Sequence, residues 1–273
     1  MNKSKNIIKK LWLLLISGGL FLLVFIISVN YNFYNLFGGM PSLQDLEKPE
    51  SELSSELYSS DNKLLGKYFR YNRSPVKFDE LSDELVTTLL VTEDIRFYDH
   101  SGIDLKGLVR ASYGVVKNIA TLGSSGLEGG GSTITQQLAK NLFKIRREKK
   151  GKLSGVPFLG LVISKVKEWI VAVKLEEFYT KKEILAMYLN TAEYGSNSYG
   201  IKVAAKTYFN KLPSELNYNE SSIIVGLLNK PTKYNPYFNP DNATENARPI
   251  ISGNRSALLT CTTHLEIDPK YAL

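Results

Sequence analysis

Two glutamates, two lysines and a helix start led by Ser and Thr are the residues in this chain whose types and spacing suit chemistry. Val86, Leu90, Glu93 and Phe97 recur at helical spacing, which puts the Glu93 carboxylate on an otherwise apolar stripe. Burial penalises the charged form of a carboxylate, which is how a glutamate becomes a usable base near neutral pH. The plain alternative is a glutamate at a helix margin, paired with Arg96 at i+3. Further on, Gly129-Gly130-Gly131 leads into Ser132-Thr133-Ile134-Thr135-Gln136-Gln137-Leu138-Ala139-Lys140-Asn141. Thr133 and Gln136 stand at capping-box spacing. In the helix this predicts, Ile134, Leu138 and Leu142 form an apolar stripe, while Thr133, Gln137 and Lys140 fall on another face. Glycines that permit close approach, the partial positive charge of a helix N-terminus and a lysine two turns along suit an anionic, phosphate-like group. An ordinary capped surface helix fits the same residues. A second carboxylate, Glu168, shares a face with Val171, Ala172 and Leu175, with Lys165 one turn before it. That pair is either a surface i,i+3 pair or a buried pair beside a phosphate pocket.

The elements around these residues are nearly all helical beyond residue 78, without a βαβ rhythm. Phe78 opens a helical pattern that runs through Glu93 to the polar turn Asp99-His100-Ser101-Gly102. Asp104 to Val116 reads as a helix with Leu108, Ala111 and Val115 inward and Arg110 on its flank, followed by Gly- and Ser-rich loop sequence. Arg146, Arg147, Lys149, Lys150 and Lys152 precede the apolar stretch Val156 to Ile163, a pairing that suits an anionic lipid surface or a solvated charge run before a core segment. Ser164 to Phe178 is a helix, and Thr180 with Glu183 forms a capping box for the next. Ile201 to Phe209 and Ser221 to Leu228 are helical again, Tyr234-Asn235-Pro236 starts a proline-broken tail, and Arg255 to Leu259 begins a last helix.

At the N-terminus, Lys3, Lys5, Lys9 and Lys10 precede the uncharged run Leu11 to Val29, long enough to cross a bilayer. The positive-inside tendency keeps the N-terminus in the cytoplasm and sends the rest outside, with Tyr31, Phe33, Tyr34 and Phe37 as an interfacial aromatic belt. A cleaved signal peptide is the competing reading, but no small-x-small cleavage site follows the run. Residues from Pro41 to about Pro75 look like a polar linker with one or two strands near Leu64 to Phe69.

Over 273 residues, 43% hydrophobic, the chain can bury a sizeable core as one or two domains. A net charge of +7, from 34 basic and 27 acidic residues, favours anionic partners. No zinc-finger or RNP-type motif supports nucleic acid. A single cysteine, Cys261, excludes an intrachain disulfide framework, and two distant histidines, His100 and His264, argue against a histidine zinc site.

Four segments in order resemble the signature blocks of the peptidoglycan glycosyltransferase family, which comprises monofunctional enzymes and the N-terminal module of class A penicillin-binding proteins. They are Glu93-Asp94-x-x-Phe97-x-x-His100-x-Gly102, Gly131-Ser132-Thr133-Ile134-Thr135-Gln136-Gln137-x-x-Lys140-Asn141, Lys165-x-x-Glu168 and Lys182-x-Ile184-Leu185-x-x-Tyr188-Leu189-Asn190. Tyr199-Gly200-Ile201 and Tyr234-Asn235-Pro236 extend the similarity over about residues 78 to 260.

The resemblance implies a mainly α, lysozyme-like fold of two lobes, the smaller facing the membrane, after an N-terminal transmembrane helix. Its layout is a tail at 1–10, the membrane helix at 11–29, a linker at 30–77, the catalytic domain at 78–260 and a tail at 261–273. It implies polymerisation of lipid II into glycan strands, with inversion and release of undecaprenyl pyrophosphate, on the outer face of a bacterial inner membrane. Growing glycan, the membrane and other wall-synthesis proteins are the implied partners. In that chemistry Glu93 is the catalytic base and Glu168 the second glutamate. Ser132, Thr133, Gln136, Gln137, Lys140 and Lys165 meet the sugar or pyrophosphate, and Asp94, His100, Arg146 and Arg147 are further candidates. A hard divalent cation, Mg²⁺ or Mn²⁺, is consistent with Glu168 and phosphate oxygens.

Three features depart from the family pattern. Ser164 stands where an arginine often precedes Lys165, the segment from Asn141 to Lys165 is longer than usual, and the last block, Asn254-Arg255-Ser256-Ala257-Leu258-Leu259, carries one arginine rather than two. No Lys-Thr-Gly of a transpeptidase occurs, so the chain reads as monofunctional or as a shortened piece. The alternatives are a lysozyme-like hydrolase using Glu93 as acid, and a membrane-anchored wall-binding protein without catalysis.

Overall fold

The computed structural model describes residues 2–47, 55–61, 64–68, 75–121, 131–143, 145, 151–156 and 158–264. The chain is mainly helical. Helix α1 (Asn2–Asn30) takes up the basic N-terminus and the apolar run together, and its Ile7–Asn30 stretch is long and apolar enough to cross a membrane. From Ile7 to Val24 its side chains are exposed, Phe25 and Ile26 are half-buried, and Val29 is buried.

Asn32, Tyr34 and Asn35 adopt left-handed backbone after α1, a conformation Asn tolerates better than most residues. The Asn32 Oδ1 accepts from the amides of Phe37 and Gly38, so a side chain closes the turn together with the backbone bonds from Asn35 to Asn32 and from Leu36 to Phe33. Two apolar residues of the segment that follows, Phe37 and Leu46, are buried against the body. Phe37 is buried edge-on against Phe25 and packs with Ile163 and Val166, while Tyr31, Phe33 and Tyr34 of the expected aromatic belt stay exposed. Helix α2 (Leu43–Glu47) inserts Leu46 into the main core, and the Tyr179 hydroxyl donates to the Leu46 carbonyl. These isolated apolar residues follow no period, which is why the strap reads as linker in sequence. Strands β1 (Ser55–Tyr58) and β2 (Leu64–Tyr68) then pair as an antiparallel hairpin, Ser55 opposite Tyr68.

Helices α3 (Asp83–Glu93), α4 (Leu105–Ala120), α5 (Ile134–Leu142), α6 (Leu159–Phe178), α7 (Lys181–Thr191), α8 (Ile201–Phe209), α9 (Tyr218–Asn229) and α10 (Pro240–His264) build the body. Leu85, Leu89, Phe97, Ile134, Leu138, Val171, Leu175, Leu185, Leu189 and Ile224 form one continuous core among them. Here α9 packs against α3 and α10, and α5 against α6 and α7. Local caps set several starts: Ser82 accepts from the Leu85 amide, Thr180 and Glu183 close a reciprocal capping box, and Asn217 does the same with Glu220. The Asn190 side chain both donates to and accepts from the Val76 backbone, tying α7 to the segment entering the body.

Four sequence expectations differ. Helix α3 stops at Glu93, and Phe97 sits in a separate short turn, Phe97–Asp99. Helix α4 buries Leu108 and Ala111 only in part, and Val115 points outward with Leu105, Val109, Tyr113 and Val116. Helix α6 begins at Leu159 rather than Ser164, so Ile163 joins the core while Phe158 and Leu161 stay exposed. The proline-broken tail that starts at Tyr234-Asn235-Pro236 is non-helical only as far as Asn239, and α10 then takes over, contains Pro249 and buries Ala243 and Ala247. Proline removes one internal hydrogen bond, and tertiary packing carries the helix through it.

The strap has one sterically intolerant point: a methyl group on Gly151 would meet the backbone of Leu36, Phe37 and Gly38, and the Leu153 amide donates to the Leu36 carbonyl beside it. Gly151→Ala is expected to lift residues 36–38 off the body. Limited proteolysis should then cut between Phe37 and Leu46 faster than in the wild type, with the thermal transition of the helical core little changed.

Candidate active site

A cleft of about 680 Å³ opens where the end of α3, the start of α4 and the first turns of α5 converge. Glu93, the last residue of α3, lines it together with Asp94, Arg96, Arg110, Ser132, Thr133, Gln137 and Lys140. Glu93 is partly buried and does not pair with Arg96. Its Oε2 accepts from Gln137 Nε2 at 2.7 Å, and Gln137 Oε1 in turn accepts from the buried Tyr188 hydroxyl at 2.9 Å. Burial, reinforced by the negative charge of Glu93, pushes the Tyr188 phenol well above the ordinary tyrosine range, so it stays a neutral donor. Arg96 is taken instead by Asp104. The bond to Asp104 raises the Arg96 guanidinium. Burial pushes Asp104 up, but the bonds from Arg96 and from the Gly107 amide outweigh it and hold Asp104 below the usual carboxylate range.

Asp94 faces inward. Its Oδ2 accepts from the Ile134 amide at 3.1 Å, and its carboxylate lies 3.1 and 3.2 Å from His100 Nε2. This network assigns the histidine proton to Nε2. Thr133 caps α5 as its spacing predicts, accepting from the Gln136 amide, but Gln136 does not close the box. The Gln136 side chain and the Thr133 hydroxyl both donate to the Gly102 carbonyl, at 3.0 and 2.8 Å. Two of the α5 amides expected to face an anion are therefore already bonded, by Asp94 and by the Thr133 hydroxyl. Gln136 is buried as a strut, and Thr133 contributes to the cleft wall with its hydroxyl committed. Positive charge at the cleft comes from side chains, Lys140 on α5 and Arg110 on α4, rather than from the helix tip.

Lys165 and Glu168 stand behind the cleft wall. Glu168 is buried and ion-paired with Lys165 at 2.8 Å, and the same Lys165 Nζ donates to Ser132 Oγ at 2.6 Å. The i,i+3 pair is thus neither a loose surface pair nor part of the cleft lining. It reaches the cleft through Ser132. Among the described residues no group of three His, Cys, Asp or Glu side chains gathers to hold a metal. Glu168 has Lys165 as its cation and, among the described residues, no clustered carboxylates with which to share an ion, so these residues alone do not build a divalent-cation site. Arg146 and Arg147 lie outside the described residues.

Sequence reasoning missed the cleft contributions of Arg110, which carries the signal of a helix flank, and of Leu228 and Asn229, which carry that of a helix end. It also missed Tyr188, a core-periodic residue that reaches the cleft only through Gln137. Only the cap-and-strut geometry that brings α3, α4, α5, α7 and α9 together reveals their shared space.

A sequence pattern described as Transglycosylase matches residues 61–254. Penicillin-binding protein 1A of Haemophilus influenzae is 38% identical over 205 residues, which is 75% of this chain and 22% of that protein. Penicillin-binding protein 1A of Vibrio cholerae is 35% identical, over 78% of this chain and 23% of that protein, and that of Escherichia coli K12 is 34% identical over the same shares. The chain thus spans less than a quarter of the length of these relatives. A crystal structure of the Haemophilus influenzae protein aligns with 75% of this chain and 18% of its own, at 22% identity and a TM-score of 0.37.

The Asp94 carboxylate satisfies a buried amide and a buried imidazole at once, so removing it leaves both exposed to an apolar interior. Asp94→Ala is expected to destabilise the chain by about 1–3 kcal/mol. Chemical denaturation should show the loss, and a stability equal to the wild type would contradict this role for Asp94.

Proposed function

Because the chain belongs to the transglycosylase family, we propose that it is a peptidoglycan glycosyltransferase that polymerises lipid II into glycan strands. The observation that carries this reading is that Glu93 and Lys140, on different helices, line one cleft. Transfer of a sugar from a pyrophosphate to an alcohol needs a group to take the hydroxyl proton and a cation to receive the departing charge. Glu93 supplies the first. With Oε2 held by Gln137, the other carboxylate oxygen is the one that faces the incoming 4-hydroxyl of the acceptor sugar. As the oxygen bonds to the anomeric carbon from one side, the carbon–oxygen bond to the lipid pyrophosphate breaks on the other, giving inversion. Lys140 and Arg110 meet the leaving phosphates from the cleft wall, and Lys165 supports that wall through Ser132. Glu168 orients Lys165 rather than touching sugar. A hydrolase acting on glycan alone gives Lys140 and Arg110 no anion to meet.

The N-terminal helix fits this substrate. With Lys3, Lys5, Lys9 and Lys10 on the cytoplasmic side, α1 crosses the inner membrane and leaves the catalytic body on the outer face, where the lipid carrier presents its headgroup. The growing glycan strand is the second occupant of the cleft, and contacts with other wall-synthesis proteins belong to the same proposal.

Glu93→Gln keeps the shape and the bond to Gln137 available while removing the proton acceptor. Polymerisation of labelled lipid II by the detergent-solubilised chain should fall by about 10²–10⁴-fold, with lipid II still bound. Wild-type rates in this variant would remove Glu93 from the role of base.

A further inference from the structure

We propose that Tyr188 is a positioning residue for the Glu93 base, acting through the orientation of the Gln137 carboxamide. The proposal rests on the reading of Glu93 given above. A side-chain amide has two ends of opposite character, and nothing in its shape decides which end faces a neighbour. Here the decision is made on α7. The Tyr188 phenol has one hydrogen to give, and Gln137 Oε1 is the acceptor it reaches. With the carbonyl end pinned there, the amino end must face Glu93, and it donates to Oε2.

The consequence is chemical. An amide N–H stabilises a carboxylate and offers the neutral acid no acceptor. Pinned in this way, Gln137 presents a donor rather than an acceptor to Glu93 and fixes its Oε2, leaving one oxygen for the acceptor hydroxyl. If the phenol is lost, the carboxamide is free to turn over, and its carbonyl then accepts from protonated Glu93 and holds the base in its inactive form. Tyr188 is nearly fully buried on the core side of α7, so it acts only through the amide. The other titratable groups around Glu93 are Asp94 and Arg96 beyond the end of α3, Asp104 and Arg110 at and on α4, Lys140 on α5, and Tyr194, which adds to the field at Tyr188. Tyr188→Phe alters none of them, so a change in the titration of Glu93 reports the amide.

The test uses the full chain in detergent with its glutamate carboxyl carbons labelled, the Glu93 signal being identified by its loss in Glu93→Gln. Tyr188→Phe should raise the Glu93 titration midpoint by about half a unit or more. The kcat for lipid II should fall by up to about threefold at pH values below the midpoint, at unchanged KM, and recover as pH rises. In a Gln137→Leu background the same Tyr188→Phe change should have no further effect on either readout. An unmoved midpoint overturns the proposal, as does a full additional loss in the Gln137→Leu background. A shifted midpoint in a chain that polymerises no lipid II leaves the relay standing and overturns the glycosyltransferase reading instead.

Discussion

A single buried carboxylate joins the two halves of the cleft. Asp94 accepts from the first amide of α5 and from His100, so the end of α3 and the start of α5 are held by the same two oxygens. The negative charge sits against the positive end of the α5 dipole, where it is most stabilised. One position earlier in the chain, Glu93 points the other way into the cleft, so its placement relative to Lys140 is inherited from the Asp94 bond. The Gly102 carbonyl makes the matching contact on the far side, receiving both Thr133 and Gln136. Gly102 adopts a φ of +85° with no room for a methyl group against the Ala172 backbone of α6, which glycine alone accommodates. Three helices are thereby set against one turn.

Beneath that junction the charges are matched in groups. Glu176 accepts from Thr135 on α5 and from Lys181 on α7, and the same lysine reaches the His100 carbonyl and lies over the Phe97 ring. Glu168 and Lys165 form a second matched pair, and Arg96 and Asp104 a third at the rim. Buried charges are tolerable when each has a partner. The pairing leaves the wall of the cleft polar without leaving it loose.

Local signals made much of this legible in sequence. The α8 span coincides with its periodic run, the Thr180 and Glu183 box starts α7, and the face bearing Glu168, Val171, Ala172 and Leu175 is buried as its spacing requires. What escaped reading depends on partners distant in the chain. Whether Glu93 pairs with Arg96 is decided by Asp104 and Gln137, and the first α5 amide is committed by Asp94, forty residues earlier. The strap after α1 carries its apolar residues singly, and α10 overrides the punctuation that Pro249 supplies. Helical periodicity reports which face is apolar but not which polar group on another helix claims a side chain.

The docking of the strap reaches further than the body itself. Val29 at the foot of α1 and Phe37 beyond it pack against Ile163 and Val166, which flank Lys165 within one turn of α6. With α1 seated in a bilayer, the altitude of the cleft above the lipid headgroups is fixed by this joint rather than by a tether. Any tilt of α1 is then transmitted directly to the angle at which the cleft faces outward.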